Sequence, residues 1–268
     1  MRVSWLPCLL VLLLAAPFFP RMVGATNLDD ARLNLSLGYH YSSGTYGSSD
    51  TTEIAYVPLT SKLEIGRWTF QGTIPYLRIT SPGGFVQGPN GPVQTTSGES
   101  DGLGDVLTRA AYILPPLTVW LPFVEIGGLV KFPTADRGQG LGTGKFDFGI
   151  ESEVAWTVAK FTPFAVLGYR FLGSPPGTSL HDVFLGSVGG SYRVLDVLHA
   201  GIMLDYREAA SAATGERLEL IPFASWKVDA RWSVDLYASA GLASGSPDAG
   251  VGLQIGYTFP SLFSAHPQ

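Results

Sequence analysis

The 268 residues carry 17 basic and 22 acidic side chains, a formal net charge of −5, and 46% hydrophobic against only 15% charged residues. The acidic balance excludes nucleic acid as a partner, since that needs a basic footprint. So low a charged fraction, against roughly 25% in a soluble domain, raises the prospect of a lipid-facing chain, which must be built either from helices or from a closed barrel.

In chain order, residues 1–25 read as a secretory signal peptide: Arg2, an apolar run from Leu6 to Phe19, and the small-residue cleavage site Val23-Gly24-Ala25. Pro17 and Pro20 oppose an uncleaved anchor helix. Cleavage near Thr26 removes Cys8, the single cysteine, and with it any disulfide or thiolate chemistry. No linker composition interrupts residues 26–268, which are expected to form one domain.

ARLNLSLGYHY, from residue 31, sets Leu33, Leu35, Leu37, Tyr39 and Tyr41 on one face and Asn34, Ser36, Gly38 and His40 on the other. This period of two is the rhythm of a strand. It continues at 52–65, 68–80, 104–114 and 119–133. The most apolar span, 111–130, holds Pro115, Pro116, Pro122 and Gly127-Gly128, which excludes a membrane helix there. KFDFGIESEVAWTV then alternates Phe146, Phe148, Ile150, Val154, Trp156 and Val158 with Asp147, Glu151, Glu153 and Thr157. Further strands are expected at 163–173, 182–194, 197–208 and 217–228, and WSVDLYASAGL repeats the pattern from Trp232. In the last, AGVGLQIGYTF, Val251, Leu253, Ile255, Tyr257 and Phe259 oppose Gly252, Gln254, Gly256 and Thr258. That makes about twelve segments of the length that crosses a bilayer at a tilt.

Tight links at 66–67, 115–118, 159–160, 195–196 and 229–231 alternate with longer, turn-rich ones such as 81–102, 134–144 and 174–182. Short turns at one end and long loops at the other predict an all-β, antiparallel, up-and-down barrel of the bacterial outer membrane. Trp68, Trp120, Trp156, Trp226 and Trp232 all fall near tight turns, with Tyr257 and Phe259 at the same end, as an interfacial girdle requires. Tyr41, Phe132, Phe146, Phe171, Phe184 and Tyr206 would form a second belt. The polar set is too sparse to coat a soluble exterior, so the apolar face is expected to meet outer-membrane lipid and the polar face to line the lumen. Tyr257-Thr258-Phe259 is similar to the terminal signal read by the barrel-assembly machinery, although PSLFSAHPQ follows it.

Inward parity places Arg109, Glu125, Lys131, Asp147, Glu151, Glu153, Arg170, Arg193, Asp205, Glu219 and Asp235 in the lumen. A basic side chain facing mid-depth lipid would cost roughly 2–4 kcal/mol. Such charges either brace the wall as ion pairs or select solutes by charge and width. Glu151 and Glu153 would repel without a nearby Arg109, Arg170 or Arg193. Chemistry is not indicated. His40 and His199 have lumenal parity, His181 lies beside Asp182 in a loop, and no serine occupies a G-x-S-x-G elbow. No H-E-x-x-H or paired histidines offer a metal site, no cofactor motif is found, and 139–146 departs from a phosphate loop.

Three motifs carry a family resemblance: Gly102-Leu103-Gly104-Asp105, Lys131-Phe132-Pro133-Thr134-Ala135-Asp136, and Leu141-Gly142-Thr143-Gly144 followed by Asp147. Their order resembles the outer-membrane transporters named for the meta-pathway of phenol degradation. Ala135 stands where that pattern has glycine, so a differently shaped turn is expected. The resemblance implies a barrel that passes aromatic or other apolar compounds. The leading expectation is therefore an outer-membrane channel for uptake of small solutes, aromatic or apolar ones among them, and not an enzyme. The alternatives are a closed structural or surface-interaction barrel and an outer-membrane lipid hydrolase.

Overall fold

The computed structural model describes residues 31–115, 122–211 and 214–260. The strands are β1 (Arg32–Gly44), β2 (Thr52–Ile65), β3 (Trp68–Ser81), β4 (Gly84–Gly88), β5 (Gly91–Thr95), β6 (Gly98–Leu103), β7 (Val106–Ile113) and β8 (Phe123–Phe132). They continue as β9 (Asp147–Ala155), β10 (Phe161–Phe171), β11 (Val183–Leu195), β12 (Leu198–Arg207), β13 (Arg217–Lys227), β14 (Trp232–Gly241) and β15 (Ala249–Thr258). β6 and β7 pair with the upper and lower halves of β3, Arg78 opposite Asp101 and Gln71 opposite Arg109, so together they make one stave of the wall. With that stave counted once, twelve strands run antiparallel to their chain neighbours, and β1 pairs with β15 to close the barrel. Closure leaves no sheet edge for lipid to meet.

The barrel is inside-out. Along β1, Ser36, His40 and Ser42 are buried while Leu37 and Tyr39 are exposed; along β15, Gln254 is buried and Val251 and Ile255 are exposed. The extremes decide the solvent: Leu167 is 73% exposed and Glu219 is 0% exposed. Water outside would reward neither, so the outer skin faces lipid. Trp68, Trp156, Trp226 and Trp232 are exposed at the tight-turn end. There Trp68 contacts Tyr112, Trp232 contacts Tyr257 and Tyr257 contacts Phe259, each with ring centroids 4.9 Å apart. At the long-loop end, Phe132 meets Phe146 at 5.7 Å and Tyr169 meets Phe184 at 4.7 Å. Trp120 and the 1–25 segment lie outside the described residues.

The structure departs from the strand map in one region. The 81–102 stretch is not a plain loop: it holds the β4–β5 hairpin and then β6, which starts the stave at Gly98, ahead of the expected residue 104. The hairpin forms its own two-stranded sheet, Val86 opposite Val93, around a turn that uses Gly91 at φ 129°.

Candidate functional site

The three sequence motifs meet at the break between β6 and β7. Breaking a strand strands backbone groups, which need other partners. Gly104 N–H donates to Pro75 O at 2.9 Å. The Thr134 hydroxyl accepts from Val106 N–H and donates to Gly104 O, both at 2.9 Å. Asp105 Oδ1 accepts from Ala135 N–H at 3.0 Å. Lys131 Nζ closes the knot on Asp105 Oδ2 at 3.2 Å, Asp147 Oδ2 at 2.6 Å and Thr143 Oγ1 at 3.2 Å. An ammonium has three donors, and all three are used. Ala135 sits in this turn without a left-handed backbone. Among the described non-glycine residues only Tyr46 and Ala159 have positive φ, so an alanine fits, and its side chain joins the apolar cluster with Leu141.

The lumenal charges sort by strand order. Arg109 on β7 donates to Glu125 Oε1 at 2.5 Å and pairs with Glu151, whose other oxygen accepts from Arg170 Nη2 at 3.4 Å. Glu153, opposite Glu125 in register, is buried beside them. Arg193 instead reaches the β9–β10 turn, donating to Ala159 O at 3.2 Å. Asp205 accepts from Ser187 at 2.6 Å, Asp235 accepts from Ser225 at 2.5 Å, and Glu219 pairs with Arg217. Arg207 and Arg217, buried at the long-loop ends of β12 and β13, were not singled out by the sequence. Their parity with Asp205 and Glu219 was the available signal.

Mid-bore, the wall turns apolar. Met203, Ile221 and Phe223 are buried together, with Phe164 and Tyr237 packed against them. Glycines make room for the rings. A Cβ on Gly201 would come 2.3 Å from Phe223 Cζ, and one on Gly252 would come 2.0 Å from Tyr237 Cζ. These rings therefore lie along the wall instead of projecting across the bore. His40 stacks on Tyr237, centroids 5.7 Å apart with 18° between planes. His181 is held through its backbone N–H on Ala210 O, and His199 is buried on β12. No group of three potential metal ligands gathers among the described residues.

Above this patch the hairpin spans the bore. It leaves the wall after β3, and its tip meets β12 and β13. In the cyclic strand order β12 is as far from β3 as any stave can be. Arg207 Nη1 donates to Gly88 O at 3.0 Å, Gln87 donates to Glu208 O at 3.1 Å, and Tyr56 donates to Asn90 at 3.2 Å. Val86 and Val93 pack on Ile54, Tyr56, Leu77 and Ile79 of the β2–β3 inner wall. A narrow cavity remains between the tip and the Lys131 knot, lined by Tyr56, Leu77, Pro92, Asp105, Lys131 and Leu141 among others.

Solved structures share this architecture. The COG4313 outer membrane channel from Pseudomonas putida F1 superposes with a TM-score of 0.66 at 14% identity, covering 91% of this chain and all of that one. The KdgM porin gives 0.54 at 10% identity, covering 84% of this chain and 99% of its own. The translocator domain of autotransporter NalP from Neisseria meningitidis gives 0.50 at 11%, covering 88% of each chain. No curated protein matches the chain. The fold is thus that of a bacterial outer-membrane barrel. With its motifs gathered on Lys131, the chain belongs to the family described as "Putative MetA-pathway of phenol degradation", whose model matches residues 41–260.

Proposed function

We propose that the barrel is a non-enzymatic outer-membrane channel for small molecules with apolar or aromatic bodies. One observation carries this reading: the patch of Phe164, Met203, Ile221, Phe223 and Tyr237 on the inner wall below the hairpin. An apolar body resting there gains roughly 25 cal/mol for each Å² taken out of water. A ring-sized solute gains a few kcal/mol, enough to enter yet weak enough to leave, as conduction requires. The lumenal ion pairs brace the wall around that path, with Arg109 shared between Glu125 and Glu151. Outer-membrane lipid around the girdles and the assembly machinery at the last strand complete the partners on this reading.

Liposome swelling with purified barrel tests it. Relative to protein-free liposomes, the barrel is expected to speed phenol entry more than glucose entry, and Phe223→Ser should lower that phenol increment while leaving glucose unchanged. Equal increments for the two solutes would refute the apolar path. A second reading, a closed structural barrel, draws on the hairpin lying across the bore. Replacing 85–94 by Gly-Gly separates the two, because a channel gains phenol flux over protein-free liposomes and a merely structural barrel adds none before or after.

A further inference from the structure

Arg207 and Arg217 stand directly opposite each other on β12 and β13, 3% and 4% exposed. Like charges in register are unfavourable unless something negative faces both. Arg217 pairs with Glu219, and Asp205, whose carboxylate accepts from Ser187, acts on both arginines only at longer range. Arg207 makes no ion pair within 4.0 Å among the described residues, and its Nε has no hydrogen-bond partner. Arg170 adds a third buried cation nearby, its Nη1 also without a partner and its Nη2 on Glu151. Of the other titratable groups near the tip, the Glu208 carboxylate accepts from Phe184 N–H and the Tyr46 hydroxyl bonds to Ser42.

Apart from Glu219 on Arg217, what occupies the two guanidiniums is backbone. Arg207 Nη1 donates to Gly88 O at 3.0 Å and Nη2 to Pro89 O at 3.5 Å, while Arg217 Nη1 shares Gly88 O at 3.5 Å. Two neighbouring oxygens held by a guanidinium fork are the arrangement of a bound carboxylate. Carbonyls bring only partial charge, and hydrogen bonds to an ionised acceptor are roughly twice as strong. The carbonyls also sit on an element joined to the wall through glycines. Gly84 and Gly98, where the hairpin joins the wall, adopt φ of 114° and 99°, with nothing within 4 Å of where a Cβ would stand.

We propose that Arg207 and Arg217 form a binding site for the carboxylate of a small organic acid entering from the long-loop side, and that the hairpin tip occupies this site in the closed barrel. The acid's two oxygens replace the Gly88 and Pro89 carbonyls, the tip is released, and the apolar body is presented to the patch below. This names the solute class of the proposed channel and rests on that reading for its purpose, although the site itself is measured without transport.

Isothermal titration of the full-length barrel in micelles, with sodium benzoate against benzamide at constant ionic strength, is the test. Benzoate should bind at least tenfold more tightly than benzamide. R207Q should lose at least tenfold of the benzoate affinity, and replacing 85–94 by Gly-Gly should raise it. If R207Q does not fold by heat-modifiable gel mobility, R207K serves, since a point charge cannot fork and should also bind benzoate more weakly. Equal affinity for both probes, wild-type affinity in the variant tested, or no benzoate binding even without the hairpin would each overturn the site. Because the readout is binding, the absence of phenol flux would defeat the channel while leaving this result standing.

Discussion

Replacing Lys131 by methionine removes the cation at the centre of the three motifs while keeping its apolar stem. The side chains of Lys131, Asp105 and Asp147 are 3%, 6% and 5% exposed, so water does not readily take over. Each carboxylate retains one backbone donor, Ala135 N–H at 3.0 Å for Asp105 and Gly173 N–H at 2.9 Å for Asp147. Nζ lies within 3.2 Å of an oxygen of each carboxylate. Those two oxygens are therefore at most about 6 Å apart, where their repulsion at an effective dielectric near 20 is about 3 kcal/mol. Removing one partner from a buried ionic cluster typically costs about 3–5 kcal/mol, and the same range is expected here. Guanidinium unfolding of barrel refolded into vesicles, followed by tryptophan fluorescence, measures it. The triple variant K131M/D105N/D147N should recover most of the loss, since the cost arises from the carboxylates left behind. A loss for K131M below about 1 kcal/mol, or a triple variant no more stable than K131M, would refute the argument.

Leu253 lies mid-strand on the outer face of β15, 39% exposed. Leu253→Arg should destabilise the refolded barrel by roughly 2–4 kcal/mol; an unchanged unfolding midpoint would mean that this face meets water. In the β13–β14 turn, the Asp229 carboxylate accepts from Arg231 N–H at 2.7 Å and Trp232 N–H at 2.8 Å, which hold its pKa below the usual carboxylate value. Its contribution is therefore complete above the ordinary carboxylate range and lost as pH falls through the lowered value. The gap between wild-type and D229N midpoints should close on acidification; a gap that widened would contradict the assignment.

Most of the wall could be read from the chain because each strand reports its own two faces. The pattern in AGVGLQIGYTF fixes which residues of β15 meet lipid without reference to any other strand. The alternation of tight and long links gives the order of neighbours, since an up-and-down barrel pairs what is adjacent in sequence. The hairpin could not be read this way. Its Gly, Pro and Gln residues carry turn signals, and the groups that make it a structured element lie 119 residues away, as Arg207 does from Gly88. The same holds for the ions: parity puts Glu151 inside, but only the stagger of β7, β9 and β10 brings Arg109 and Arg170 to it and leaves Arg193 at a turn.

By itself, the sequence determined a closed sheet with an oily skin and a largely polar bore, because period-two alternation is local and lipid demands apolar side chains on the outer face. Only the tertiary structure decided what fills that bore. A loop crossing to the far wall, two arginines meeting its carbonyls and a lysine tying three motifs together are contacts between residues remote in the chain, set by strand register and barrel closure.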